Sequence, residues 1–277
     1  MNYKKSLKKT IFYFILLLGF VISLFPFYFM IISSFKSISD IFTYPPKLYV
    51  QEWHFDNYVR LFTNIPFARN IFNSVFVALC FTIISVMVSA AAGFGLSKYK
   101  QAPGRKGLFV FILATMMIPE QVVMIPLYIY MSKIGWINTY FALILPFVAQ
   151  AFGVFLLKQY IDGVPDDLLD SARIDGCNEF RIFWQIIMPI VKPALGALGI
   201  ICFMNSYNFF LWPLIVTNKK EMLTVPVALA NLQGQMYGVP YDLIMAGSTL
   251  ATLPLIIIFL FFQKQFISGI TMGALKE

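Results

Sequence analysis

Charge is scarce in this 277-residue chain, where only 12% of residues are Asp, Glu, Lys or Arg. A soluble globular domain carries roughly 25%, so an ordinary water-facing surface is excluded for much of it. Histidine occurs once, as His54, and cysteine three times, as Cys80, Cys177 and Cys202. These are far apart and form no CxxC or Cys/His cluster, which excludes a zinc site and a disulfide framework. The dipeptide Gly-Lys is absent, so the phosphate-cradling GxxxxGK[ST] loop is absent too, and the chain does not hydrolyse ATP by that route. No nucleophile–base pair argues for an enzyme, and no cofactor is expected. Nor is there a second soluble domain, a short repeat or a low-complexity tract.

What is present is apolar: 59% of residues are hydrophobic and 30 are Phe. The net charge of +8 does not mark a nucleic-acid protein, because its 16 Lys and 5 Arg sit in short groups between long apolar runs rather than in one patch. Such groups flank membrane segments, and lipid is the expected surroundings. Lys4, Lys5, Lys8 and Lys9 precede an apolar run of 22 residues, Ile11 to Ile32. A signal peptide's apolar region has about 7–15 residues and a small-residue cleavage site, so this run is expected to stay as a first membrane helix.

Six segments approach the ~20 apolar residues needed to cross a bilayer: 11–32, 71–97, 107–131, 138–158, 193–217 and 243–263. The third contains Pro119, Glu120 and Pro126; its 12 residues before Pro119 reach only about 18 Å. It is expected to run on past Pro119 as a kinked helix. One side of the membrane would carry 14 Lys/Arg and the other 7. The positive-inside rule then puts both termini and the loops 98–106 and 158–192 in the cytoplasm. Ser85, Ser89 and Gly93 give the second span a small-residue face, as Gly196 and Gly199 do for the fifth, for close helix packing. The expected organisation is a first helix with an external loop (1–69), a helical transmembrane domain (70–264) and a cytoplasmic tail (265–277).

The middles of the spans lack Asp, Lys, Arg and His, leaving Glu120 as the one intramembrane ionisable candidate. Transport coupled to protons or sodium usually needs more than this, so energy for pumping would come from a partner. The cytoplasmic stretch 159–191 is the most structured of the loops. Pro165 suits a first helical turn, Asp166 and Asp167 suit the positive end of a helix dipole, and Gly176 suits the left-handed residue that ends a helix. A helix of about ten residues follows, with Leu168, Leu169 and Ala172 sharing a face. Asn178 would cap a second helix carrying Phe180, Phe183, Trp184 and Ile187, with Trp184 at the membrane interface. Pro189 and Pro193 would break the helix and restart it. Caps record geometry, not partners, so this reads equally as a docking device or as a loop packed beneath the bundle.

The run Asp170-Ser171-Ala172-Arg173-Ile174-Asp175-Gly176, with Pro189 thirteen residues on, resembles the EAA loop of binding-protein-dependent ABC importer permeases. Asp170 stands for the usual Glu and Ser171 for the first Ala. Met117-Ile118-Pro119 with Ile125-Pro126-Leu127-Tyr128, Phe210-Leu211-Trp212-Pro213-Leu214 and the tail 266–274 are similar to the carbohydrate branch, specifically the smaller maltose-type permease subunit. The resemblance implies an all-α, six-helix type I importer permease in a bacterial inner membrane. It implies a second permease subunit, a cytoplasmic ATPase dimer and an extracytoplasmic sugar-binding protein as partners. It also implies that 166–176 is the coupling helix, with Asp170, Ser171, Ala172, Asp175, Gly176 and Pro189 as its signature. Asn205, Asn208 and Trp212, at i, i+3 and i+7 on the fifth span, would line a sugar path or else bond helix to helix. Glu120 and Gln121 are further path candidates. The alternatives are a permease for another solute, such as a glycerol phosphate, or an ion-coupled secondary transporter.

Overall fold

The computed structural model describes the backbone of residues 2–234 and 238–274 and the side chains of 8–234 and 238–263. The side chains of the 266–274 signature, and the last residues of the expected tail, lie outside the described residues. Every regular element among those described is helical. In chain order these are α1 (Asn2–Ser33), α2 (Ile38–Ile41), α3 (Asp56–Asn64), α4 (Phe67–Lys98), α5 (Arg105–Thr115), α6 (Glu120–Lys133), α7 (Tyr140–Ile144) and α8 (Ala151–Asp162). After them come α9 (Asp166–Ile174), α10 (Glu179–Ile182), α11 (Met188–Ile190), α12 (Lys192–Tyr207), α13 (Leu211–Val216), α14 (Val225–Gln233) and α15 (Tyr241–Ala274).

Three stretches among the described residues, in α1, α4 and α15, are long and apolar enough to cross a membrane, and the count is six when each of three bent helix pairs is taken as one span. The bent pairs are where the structure departs from the sequence reading. The third span is not one kinked helix: α5 and α6 meet at 95°. Pro119 has no N–H to bond back to Thr115, and its own ψ of 133° is extended, so the chain turns instead of kinking. The fourth is likewise broken, by 50°, around a 3₁₀ turn Leu145–Phe147 that contains Pro146. The fifth stops at Tyr207 and resumes as α13, and at its start α12 meets the Glu179–Ile190 stretch at 79°.

The chain forms two compact units: Met1–Ala68 with Ala228–Leu253, and Arg69–Val227 with Pro254–Glu277. In the first unit the amide of buried Asn57 donates to the carbonyls of Ser34 (3.0 Å) and Lys36 (2.9 Å), where α1 ends. Phe35 sits among Trp53, Phe55 and Tyr58, with ring centroids 5.2–5.3 Å apart. Asp242, only 2% exposed, pairs with Arg60 at 2.7 Å.

In the second unit α4 runs unbroken through 32 residues and packs on α8 through small residues. A Cβ on Gly93 would lie 2.9 Å from the Lys158 amide nitrogen, and one on Gly153 would overlap Ser89 Oγ. Lipid supplies no hydrophobic drive between helices, so this close fit supplies dispersion contact instead. Gly199 behaves otherwise: its Cβ would meet only Thr82, at 3.8 Å. With Gly196 it lines an apolar groove of about 430 Å³. The small face of the fifth span meets no equally small surface there, so it leaves space rather than a tight crossing.

The N-terminal part of α4 pins the segment before α14. Asn70 Nδ2 donates to the carbonyls of Lys220 (3.1 Å) and Leu223 (3.0 Å), and Asn73 Nδ2 to those of Glu221 (2.7 Å) and Leu223 (3.0 Å). The Val225 N–H donates to Ser74 Oγ at 2.7 Å, and the Tyr140 hydroxyl to Asn73 Oδ1 at 2.6 Å.

Candidate functional site

Two places gather the residues singled out in the sequence. The first is the hairpin formed by α9 and α10. Pro165, extended at φ −58° and ψ 136°, precedes the helix, and Asp166 and Asp167 occupy its first turn. At the other end Gly176 has φ +83°. Its N–H donates to Arg173 O (3.0 Å), and the Cys177 N–H donates to Ala172 O (2.9 Å). This pair of bonds is a Schellman motif, and it needs the left-handed residue that Gly supplies without strain. An added Cβ at Gly176 would meet nothing within 4 Å, so the demand there is on backbone conformation, not on space.

Leu169 and Ala172 are buried, anchoring α9 to the unit, whereas Leu168 faces outward with the acidic residues. The three do not share one buried face, because nine residues of helix present only a narrow inner stripe. Asp170, Ser171, Asp175, Gly176 and Pro189 are exposed. Exposed too are Ile174 at 86% and Phe180 at 73%, apolar side chains held in a charged setting.

Charges fix the hairpin both within itself and to the end of α4. Arg173 donates to Asp170 (2.7 Å) and to both Glu179 oxygens (2.7 and 3.2 Å), tying α9 to α10. The Arg173 hydrogen bond and one from Tyr99 hold the Glu179 carboxyl below its usual range, against the opposing effect of burial. Lys98, whose side chain is 3% exposed, donates to Val164 O (2.5 Å) and Asp166 Oδ1 (2.9 Å). Lys100 pairs with the other Asp166 oxygen. Hydrogen bonds from Lys100 and Lys98 bring the Asp166 carboxyl down to about 2. None of these partners from the 97–100 turn was visible in the pattern of the 159–191 stretch. Asn178 caps α10 as expected, its Oδ1 accepting from the Arg181 N–H at 2.8 Å. The helix then widens into a π-turn, Phe183–Ile187, beside Pro189, which cannot donate to Gln185 and whose ring crowds that carbonyl. Ile187 is buried, while Phe180 and Trp184 are exposed.

The second place is a concavity of about 360 Å³ in the same unit. It brings together Glu120, Asn205 and Asn208, three of the path candidates, and adds Gln150, Phe147 and Phe209. The helix breaks create it. Glu120 starts α6 directly after the 95° turn, Gln150 lies in the break before α8, and Asn208 is the residue that ends α12. The side chains of Glu120 and Asn205 make no hydrogen bond or ion pair with other described residues. Gln150 Oε1 accepts from Cys202 Sγ at 3.4 Å, and Asn208 Nδ2 bonds back to Met204 O at 2.9 Å.

Two path candidates fall elsewhere. Gln121 is exposed but does not line the concavity. Trp212 belongs to the core: it is fully buried, donates Nε1–H to Ala142 O at 2.8 Å and meets Phe147 edge-on at 5.4 Å. The i, i+3, i+7 face assumed one continuous helix, and that helix ends at Tyr207. Gln150 was missed because its neighbours in space come from other segments; a polar residue four positions after Pro146 was the available signal.

Comparison with known proteins follows the same lines. Residues 85–271 match the family described as "Binding-protein-dependent transport system inner membrane component". The chain is 43% identical to the arabinooligosaccharides transport system permease protein AraQ of Bacillus subtilis, over 91% of this chain and 90% of that one. It is 30% identical to the sn-glycerol-3-phosphate transport system permease protein UgpE of Agrobacterium fabrum, over 96% and 97%. In fold it is similar to a chain of a bacterial ABC transporter that imports the acidic polysaccharide alginate. That match has a TM-score of 0.83 at 21% identity and covers 95% of this chain and 98% of the other.

Proposed function

This chain belongs to the binding-protein-dependent transport system inner membrane components, and from that premise we propose that the solute it passes is a carbohydrate. It is a permease subunit, not an enzyme, and the ATPase is a separate chain. The reading rests chiefly on the concavity of Glu120, Gln150, Asn205 and Asn208 beside Phe147 and Phe209. Amides and a carboxylate bond sugar hydroxyls, and aromatic rings cover the apolar face of a sugar ring. Similarity to an arabinooligosaccharide permease supports it. A phosphorylated solute is the second reading, since a glycerol phosphate permease is also similar. The concavity has no Lys or Arg in its wall and carries one carboxylate, and a phosphate is usually held by cations.

In this proposal the chain forms half of the path, with a second permease subunit forming the other half. Both termini and the α9–α10 hairpin face the cytoplasm, where the excess of Lys and Arg lies. Residues 166–176 are the coupling helix, seated on one subunit of an ATPase dimer with Leu168, Ile174 and Phe180 on the docking side. An extracytoplasmic binding protein delivers the sugar. The test is to purify the whole assembly and measure ATPase activity with its binding protein loaded with arabinooligosaccharides, lactose, maltose or glycerol 3-phosphate. Stimulation by one of the sugars is expected; stimulation by glycerol 3-phosphate alone would overturn the carbohydrate reading.

A further inference from the structure

In the second unit the spans made from α5 to α12 are all broken, by 95°, 50° and 79°, while α4 is continuous. Its 32 residues extend about 48 Å, longer than a bilayer with its headgroups. Both ends are fastened by side chains of α4 itself. At one end buried Lys98 holds Val164 O and Asp166 at the start of α9, and Ser97 donates to Asp162 Oδ1 at 2.6 Å. At the other end Asn70, Asn73 and Ser74 hold the backbone of residues 220–225. Along its length Gly93 and Ser89 lock it to α8.

We propose that α4 is the strut that carries displacement of the coupling helix across the membrane to the 220–225 segment, and that Lys98 is the positioning residue that joins strut to helix. A broken span absorbs a push by changing its bend, whereas a straight helix passes it on. Buried Lys98 holds the α9 N-terminus through a carbonyl and a carboxylate at once, so α9 cannot shift without moving the end of α4. The inference rests on the reading of 166–176 as the coupling helix.

The test uses the purified assembly with its ATPase and loaded binding protein, and reads the ratio of stimulated to basal ATPase activity. Lys98→Met and Asn73→Ala, at opposite ends of α4, should each lower that ratio at least about fivefold, the lower range of an allosteric coupling. Both should keep membrane abundance and ATPase copurification. Asp166→Ala, at a half-exposed carboxylate whose loss the fold should tolerate, should act in the same direction, and Lys98→Arg should retain the ratio. Normal stimulation in Lys98→Met and Asp166→Ala overturns the strut. So does loss of ATPase copurification in Lys98→Met, because Lys98 would then build the dock rather than transmit through it. Gly176→Val separates the two claims. If it abolishes copurification while Lys98→Met stimulates normally, the coupling reading stands and the strut falls; if Gly176→Val is itself silent, the coupling reading falls.

Discussion

The α9–α10 hairpin and the concavity at Glu120 are built on opposite plans. Every charge on the hairpin's Asp166, Asp170, Arg173 and Glu179 is matched by a partner, and its bends come from residues inside it: Pro165, Gly176 and Pro189. The concavity draws on three broken spans, and the side chains of its Glu120 and Asn205 bond nothing among the described residues. In the proposed coupling role the hairpin keeps its shape because these charges are satisfied by one another and by Lys98 and Lys100. In the proposed path role the free side chains of Glu120 and Asn205 have no internal bond to exchange when a solute binds.

The sharpest way to break this contrast is Gly176→Val. A β-branched residue at φ +83° costs about 1–3 kcal/mol in local strain, concentrated where the helix must end. Uptake should fall by about tenfold or more and ATPase copurification should drop with it, while membrane abundance is retained. Normal copurification and uptake would remove α9 from the coupling role.

A smaller effect is expected at the free polar groups. The Asn205 side chain contributes no hydrogen bond to the fold, so Asn205→Ala should leave abundance and copurification unchanged. Uptake should fall about two- to tenfold, the worth of one net hydrogen bond. Uptake at the wild-type rate would take Asn205 out of the path.

The smallest effect concerns pH. Hydrogen bonds from Lys100 and Lys98 take the Asp166 carboxyl from 3.8 to about 2, and Glu179 is lowered by Arg173 and Tyr99 against burial. A lowered carboxyl contributes its stabilisation above its unfolded pKa and loses it as pH falls through the folded value. Copurification of the ATPase should therefore stay flat between about pH 5 and pH 8. A midpoint inside that window would mean the hairpin's ion pairs are not what holds its shape.

These differences also explain how much was legible beforehand. The bounds of α9, the left-handed Gly176 and the Asn178 cap followed from residues a few positions apart, where backbone sterics and local hydrogen bonds decide. The six apolar segments were countable because a bilayer sets their length. What could not be read is what distance in sequence hides. The partners Lys98 and Lys100 come from the end of α4 and the turn after it, and Gln150 enters the concavity only because α7 and α8 meet at an angle. For Trp212 the sequence left lining and helix-to-helix bonding open, and its bond to Ala142 O is of the second kind. Pro119 announced a disruption, but not whether the chain would kink or turn by 95°.

That turn has a consequence for biosynthesis. With 11 residues in α5 and 14 in α6, each half reaches about 16–21 Å, short of the ~30 Å hydrocarbon layer. Neither half alone carries enough apolar length to be a span, so when the pair crosses as one broken span the insertion machinery takes the two together. A single charge introduced into α5 therefore endangers the membrane entry of α6 as well, and with it the register of every segment that follows.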